Sequence, residues 1–277
     1  MGASIIVDSG CDMPEQVKKD MSVAVVPFTM MLGQTEFVDD GSLDFDEFMK
    51  AMKACKEKVG SASPSPHSYQ KAIQSTGGEY VITLSSKLSG SYSNAVLGNS
   101  QAQEDGGQSA HIFDSKSASA GETLIAIKLH ELIKEGLSKA RIIEAVHEFI
   151  DNMKTYFVLE NYDNLQKNGR LSKVTGSLIQ ILNMKLIMGS DGDGNIVLYE
   201  KVRGIRRMID HLMSLVEKSG KKTEGENLVI SHCNNFDLAE QLCAEIKGRF
   251  RFKNIHIVPT GGLSSLYAAE KGIVVAF

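Results

Sequence analysis

Residues 80–97 read YVITLSSKLSGSYSNAVL, and this stretch contains the pattern that decides the fold. Tyr80–Leu84 is a short apolar run typical of a buried strand. The polar segment Ser85–Gly90 follows it, and Ser91 can then cap a helix that continues through Ala95 and Leu97. A strand, a loop and a helix in this order form the repeating unit of α/β proteins. The stretch therefore predicts one strand–helix unit.

The same pattern recurs on both sides of this stretch. Further strands are predicted at Ser4–Val7, Val23–Phe28 and His111–Phe113. Helix starts are predicted at Asp12-Met13-Pro14-Glu15, at Asp44 with Glu47, and at Ser65-Pro66, because each offers a capping side chain, an early proline or both. Strands that alternate with helices imply a parallel sheet covered on both faces. The first half is thus predicted to be a doubly wound domain.

From about Tyr156 the pattern changes. Residues 189–195 read GSDGDGN and lie between the apolar runs Lys185–Met188 and Ile196–Val202, which predicts an antiparallel hairpin. The expected fold is therefore α/β with two domains. Residues 1–158 form an N-terminal domain with a doubly wound parallel sheet, and residues 159–277 form a C-terminal mixed α/β domain that contains the hairpin.

The composition excludes several classes of protein. The 277 residues carry a formal net charge of −4 with both signs interspersed, so nucleic acid is disfavoured as a partner. The four cysteines make no CxxC pair, which suits a reducing cytoplasm, and no apolar run is long enough to span a membrane. We expect a cytoplasmic protein without an anchor.

Motifs for metals and nucleotides are absent from the sequence. The segment that begins at Asp191 resembles a calcium loop only at its start, because Ile196 replaces the required glycine and Val202 the required glutamate. There is also no GxGxxG or Walker loop. We therefore expect no metal, no cofactor and no nucleotide site.

Two polar segments are candidate anion sites. Ser85–Ser91 joins a strand to a helix start, where free backbone N–H groups and the helix dipole favour a carboxylate or phosphate, and Gly90 permits close approach. The alternative is that Ser89 and Ser91 only cap the helix. Gly60–Pro66 supplies further hydroxyls in what is predicted to be a loop. Arg170 and Arg203 each stand beside a glycine and can bind a carboxylate, although a surface ion pair is the commoner role.

Seven segments, taken in order, resemble the DegV family, whose bacterial members bind fatty acids. They span nearly the whole chain: Val7-Asp8-Ser9, residues 61–66, Leu88-Ser89-Gly90-Ser91-Tyr92, Phe113-Asp114-Ser115-Lys116, Gly169-Arg170-Leu171-Ser172, Lys201-Val202-Arg203-Gly204 and Val275-Ala276-Phe277. The resemblance implies that a long-chain fatty acid lies in a tunnel of the first domain with its carboxylate near the domain junction. It also implies a separate fatty acid kinase that phosphorylates this carboxylate.

The resemblance also implies roles for particular residues. Ser61, Ser89, Gly90 and Arg203 match positions that hold the carboxylate. Many relatives carry a His-x-Gly-Pro-Gly run near the ligand, whereas this chain has Tyr267 followed by Ala-Ala-Glu-Lys, so Tyr267 is expected to replace the histidine. The protein itself is expected to have no catalytic residue and no cofactor. Its partners would be the fatty acid and the kinase, and a transient membrane contact is compatible with this role.

Two other functions stay open at this point. One is a phosphoryl-transfer enzyme domain on a related fold, which the missing nucleotide loop disfavours. The other is an interaction protein with a vestigial cleft. A lipid extract of the purified protein separates these alternatives, since only a lipid-binding protein would yield a stoichiometric fatty acid.

Overall fold

The computed structural model describes residues 5–171, 174 and 184–277. Within these ranges no helix is long and apolar enough to cross a membrane. The described strands form three sheets, and elements are labelled in chain order.

A four-stranded parallel sheet lies in the N-terminal half. In spatial order it consists of β2 (Val23–Val26), β1 (Ile5–Asp8), β6 (Tyr80–Thr83) and β7 (His111–Asp114). All four residues of β1 and of β6 are buried, because the sheet is covered on both faces. Ile6 and Val81 point to one face, whereas Val7 and Ile82 point to the other. The predicted parallel sheet is confirmed.

A three-stranded antiparallel sheet was not predicted. It consists of β4 (Thr35–Val38), β3 (Thr29–Leu32) and β5 (Val59–Ala62). The prediction of a loop at Gly60–Pro66 is therefore wrong at its start, since Ser61 lies in β5 and pairs with Met30 of β3. The strands are short and β4 is largely exposed, so they lack the apolar signal of a buried strand.

A six-stranded mixed sheet forms most of the C-terminal half. Its spatial order is β10 (Ile196–Val202), β9 (Lys185–Ser190), β8 (Thr155–Val158), β13 (Ile273–Ala276), β11 (Asn227–His232) and β12 (Asn254–Pro259). β9 and β10 form the predicted antiparallel hairpin, with an irregularity between Leu198 and Glu200. The domain boundary after residue 158 stays a prediction. Strand β8, which ends at residue 158, pairs with β13 and β9 of this six-stranded sheet.

Ten helices are described in these ranges. They are α1 (Glu15–Asp20), α2 (Phe45–Ala54), α3 (Pro66–Thr76), α4 (Ser91–Glu104), α5 (Ala120–Lys134), α6 (Lys139–Asn152), α7 (Asp163–Lys167), α8 (Ile205–Lys218), α9 (Phe236–Arg249) and α10 (Gly262–Ala268). The caps of α2 and α3 are as predicted, because Asp44 accepts from Glu47 N and Ser65 accepts from Ser68 N.

Two predicted caps are wrong. Pro14 precedes α1, and Asp12 does not cap that helix, because its carboxylate accepts hydrogen bonds from Gly261 N and Ser119 Oγ instead. Ser91 is the first residue of α4 and its hydroxyl donates to Asp8, 2.5 Å away. In both cases a partner distant in sequence takes the side chain that local spacing assigns to a helix start.

The helix α5 joins the two halves through one core. It contacts β1 and β6 of the parallel sheet on one side, and β11 and β13 of the six-stranded sheet on the other. Its residues Leu124, Ile125 and Leu129 are at most 1% exposed. Because one helix buries apolar surface against both sheets, the loops at the edges of the two sheets are held next to each other.

Candidate functional site

An apolar cavity lies between the two halves. It encloses about 890 Å³ of empty space, part of which is open to solvent. Its walls are mostly aliphatic and aromatic: Phe28, Leu84, Leu88, Phe157, Leu159, Leu165, Ile196, Leu263 and Val274. Both halves contribute to the lining, so the cavity is not confined to the first domain.

Four half-buried polar residues line the cavity together, and we call them the polar end: Ser61, Ser89, Arg170 and Tyr267. The hydroxyls of Ser61 and Tyr267 are 2.9 Å apart, although 206 positions separate them in sequence. The Arg170 guanidinium lies over the Tyr267 ring, 5.4 Å from its centroid. A hydroxyl can both donate and accept, and a guanidinium carries several donors. The polar end can therefore bind a small anionic head group.

The backbone holds Arg170 and Ser89 in place. Arg170 Nε donates to Leu88 O at 3.2 Å, and its Nη1 donates to Asn168 O at 2.7 Å. Ser89 Oγ accepts a hydrogen bond from Ser91 N at 3.2 Å. These contacts fix the guanidinium against the loop before α4, so a ligand meets a site that is already formed.

The two polar segments, Gly60–Pro66 and Ser85–Ser91, lie next to each other. Asn94 of α4 donates from Nδ2 to Ser63 Oγ at 3.2 Å and to Pro64 O at 2.8 Å. This brings the segment after β5 against the segment before α4. Ser61 and Ser89 consequently line one cavity.

Gly90 and Arg203 do not line the cavity. Gly90 is exposed and adopts φ −75° and ψ 0°, a conformation open to any residue, so it does not need to be glycine for backbone reasons. Arg203 is exposed after β10. The sequence left open whether Arg170 binds an anion or forms a surface ion pair. In the structure Arg170 is the arginine that lines the cavity.

The buried carboxylate of Asp8 holds both ends of the loop before α4. Asp8 is 0% exposed and accepts hydrogen bonds from Leu84 N, Ser91 Oγ and Gly10 N at 2.8, 2.5 and 3.0 Å. The Tyr69 hydroxyl also forms a hydrogen bond with the Ser91 hydroxyl, and the two oxygens are 2.5 Å apart. Burial raises the pKa of Asp8, while these donors lower it.

Glu122 of α5 is a second buried carboxyl beside Asp8. It is 0% exposed, and neither of its carboxyl oxygens has a hydrogen-bond partner of normal geometry among the described residues. Burial and the neighbouring Asp8 charge raise the pKa of Glu122 well above its usual value. A Cβ at Gly10 would lie 2.7 Å from Glu122 Oε1 and 3.0 Å from Asp8 Oδ1, so only glycine fits there. Asp8 and Glu122 form what we call the carboxylate pair.

Metal chemistry finds no support in the described part of the chain. No group of three or more histidine, cysteine, aspartate or glutamate side chains there could hold an ion. Sequence reasoning also missed cavity residues such as Ser119 and Ser264, for which neither spacing nor motif gives a signal. The segment Phe113–Lys116 was noted only through the family resemblance.

Fold and site together define an α/β protein that encloses an apolar cavity between two sheet-bearing halves, with hydroxyls and one arginine at its polar end. The chain matches the model of the DegV family, which is described as a family of uncharacterised proteins, over residues 3–277. The chain belongs to the DegV family.

Relatives and solved structures agree with this assignment. A DegV domain-containing protein of Streptococcus pneumoniae is 35% identical over 277 residues, covering 99% of this chain and 98% of the relative. The crystal structure of a DegV family protein from Ruminococcus gnavus with vaccenic acid has a TM-score of 0.94 and 36% identity, and covers 99% of both chains. The fatty acid kinase B3 protein of Streptococcus pneumoniae, loaded with linoleic acid, has a TM-score of 0.90 and 34% identity, and covers 100% of this chain and 99% of that one.

Proposed function

We propose that this protein binds one long-chain fatty acid in the cavity, with the acyl chain along the apolar wall and the carboxylate at the polar end. The observation that carries the proposal is the meeting of Ser61, Tyr267 and Arg170 in the lining of a cavity whose surface is mostly apolar. Relatives of similar fold that are described with vaccenic and linoleic acid support the same ligand class. Gly90 and Arg203 stay predictions as carboxylate ligands.

Burial of the acyl chain would dominate the affinity. About fourteen methylenes at roughly 0.8 kcal/mol each give a gross favourable free energy near 11 kcal/mol, before ordering costs. One hydrogen bond to the head group adds about 1 kcal/mol, and up to about 3 when the acceptor is charged. The polar end therefore sets the orientation of the ligand and selects an acid over other lipids.

The protein would present the carboxylate to a separate fatty acid kinase and perform no turnover itself. The structural relative described as a fatty acid kinase B3 protein supports this role. The described residues also include no nucleotide-binding loop of the GxGxxG or Walker type. Acyl phosphate should form only when ATP, a cognate kinase and the loaded protein are all present.

The test is mass spectrometry of the purified protein under native conditions and of its lipid extract. We expect one fatty acid per chain, exchangeable for added palmitate or oleate. Ala118 is half-buried and lines the cavity, so Ala118→Trp should abolish uptake, whereas Ala54→Trp at the exposed end of α2 should leave it intact. Protein that stays empty after incubation with both acids would refute the proposal.

A further inference from the structure

The start of α10 is held by two carboxylates from the other half of the molecule. Asp39, between β4 and α2, accepts from Gly262 N at 2.9 Å through Oδ1 and from Leu263 N at 2.8 Å through Oδ2. Asp12, after β1, accepts from Gly261 N at 2.7 Å. Three consecutive backbone N–H groups are thus bound by two side chains from the N-terminal half. We call this arrangement the α10 clasp.

Both carboxylates of the clasp are buried and fixed. Asp39 is 8% exposed and Asp12 is 2% exposed. The Asp39 backbone N–H donates to Phe28 O at 2.9 Å, and Ser119 Oγ donates to Asp12 Oδ2 at 2.5 Å. Phe28 and Ser119 both line the cavity. The clasp therefore connects the start of α10 directly to the walls of the cavity.

The packing at the clasp leaves no room for a side chain at position 262. A Cβ at Gly262 would lie 2.6 Å from Asp39 Oδ1 and 2.6 Å from the Met30 Cε. Free N–H groups at a helix start and the local dipole favour an anionic partner, and Asp39 satisfies two of these groups at once. Asp39 thus ties the start of α10 to the segment that follows β4.

The short helix α10 carries the residue that closes the polar end. Tyr267 lies one turn beyond the clasp, and its hydroxyl meets Ser61 of β5 at 2.9 Å. Leu263, Ser264 and Ala268 of the same helix also line the cavity. A rigid seven-residue helix transmits a displacement of its start to Tyr267.

We propose that Asp39, supported by Asp12, is a positioning residue for the carboxylate site: it holds α10 so that the Tyr267 hydroxyl stands beside Ser61, ready to donate to the fatty-acid head group. The inference rests on the proposed function for its ligand. It assigns Asp39 no contact with the ligand, so its effect on the preference for an acid over an alcohol should pass through Tyr267.

The substitution Asp39→Asn tests this directly. An asparagine has one acceptor oxygen, so it cannot accept from both Gly262 N and Leu263 N, and its amide nitrogen would face one of the two donors. Asp44→Asn is the matched control, since Asp44 is an exposed carboxylate that caps α2 through Glu47 N.

Dissociation constants for palmitate and hexadecanol are measured for each variant. Loss of one head-group hydrogen bond is about a fivefold effect. We expect Asp39→Asn to weaken palmitate about fivefold with little change for hexadecanol, and the Asp44→Asn control to behave like wild type. Adding Asp39→Asn to Tyr267→Phe should cause no further loss. Equal weakening of both ligands, or a further loss in the double variant, would overturn the positioning role.

Hydrogen exchange separates this inference from the proposed function. Asp39→Asn should accelerate amide exchange at residues 262 and 263 without any ligand, and unchanged exchange there overturns the inference. Wild-type protein that binds neither lipid refutes the proposed function instead. If Asp39→Asn does not fold, Asp12→Ala, which removes one of the three clasp bonds, should lower the preference for palmitate over hexadecanol about twofold, and an unchanged preference overturns the inference.

Discussion

The polar end of the cavity includes Ser89, and Asp8 of the carboxylate pair bonds to Leu84 and Ser91 of the same segment, yet the two regions are built in opposite ways. At the polar end, neutral hydroxyls and one guanidinium are half-buried and face empty space. The carboxylate pair, Asp8 and Glu122, is 0% exposed and faces only the protein. One region keeps hydrogen-bonding capacity for a ligand, and the other uses it to hold the backbone.

This difference in burial indicates which polar groups are available to bind a ligand. Asp8 accepts from three donors, and the Ser91 hydroxyl bonds to both Asp8 and Tyr69, so these two side chains are committed to the protein itself. Substitutions on the two sides should therefore separate stability from ligand affinity.

The largest effect is expected from Asp8→Ala. The change leaves Leu84 N, Gly10 N and the Ser91 hydroxyl buried without their acceptor, and each such group costs on the order of 1–3 kcal/mol. We expect the free energy of unfolding, measured with urea, to fall by about 3–5 kcal/mol. The exposed Asp20, which accepts only from Gln16, is the control, and Asp20→Ala should change stability by less than about 0.5 kcal/mol.

On the cavity side, Arg170→Gln should weaken fatty-acid binding about tenfold, close to 1.4 kcal/mol, because the guanidinium is the positive charge at the polar end. Arg203→Gln is the comparison, since Arg203 is exposed outside the cavity lining, and we expect an unchanged dissociation constant. Titration of delipidated protein with a fluorescent fatty acid measures both. If Arg203→Gln weakens fatty-acid binding more than Arg170→Gln does, the assignment of the carboxylate to Arg170 is wrong.

Tyr267→Phe should have a smaller effect on binding and almost none on folding. It removes one hydroxyl that meets Ser61, which corresponds to about 1 kcal/mol, or roughly fivefold in affinity. Tyr267→His should make the affinity depend on pH, because an imidazole changes charge within the physiological range. If Tyr267→Phe binds like wild type at every pH, the hydroxyl does not touch the ligand.

The smallest effect on stability is expected from Glu122→Gln, which should match wild type at acidic pH. Burial and the Asp8 charge raise the folded-state pKa of Glu122, so the folded protein binds a proton that the unfolded chain releases above its ordinary pKa. Wild-type stability from this group is complete below that ordinary pKa and declines as the pH rises toward the folded-state value. Glutamine has no proton to lose, so Glu122→Gln should match wild type near pH 4 and become relatively more stable as the pH rises. Urea unfolding at several pH values measures this, and parallel curves would contradict the assignment.

Much of the fold was predictable because local patterns determine it. The buried run at β6 and the capping pairs at Asp44 and Ser65 each fixed an element from adjacent residues. The three-stranded sheet was missed because β3, β4 and β5 are partly exposed, whereas β1 and β6, which have the same length, are fully buried. Short half-exposed strands carry little periodicity, so only tertiary pairing defines them.

The candidate site was predictable only in part. Spacing placed Ser89 next to a helix start, and the resemblance pointed to Ser61 and Tyr267, but the contact between these two residues spans 206 positions. The true partners of Asp12 and Asp39 lie 249 and 223 positions or more away at the start of α10, which no local rule reaches. These side chains satisfy backbone donors in the other half, and such pairings exist only once the two halves have come together.

The position of β13 within its sheet has a consequence for biosynthesis. β13 is the last strand in chain order, yet it lies between β8 and β11. Until β13 has been synthesised, the edges of β8 and β11 that pair with it stay unpaired. Unpaired strand edges can pair with other chains. Nascent protein is therefore most prone to aggregate just before β13 emerges, and chaperone binding should concentrate in that interval.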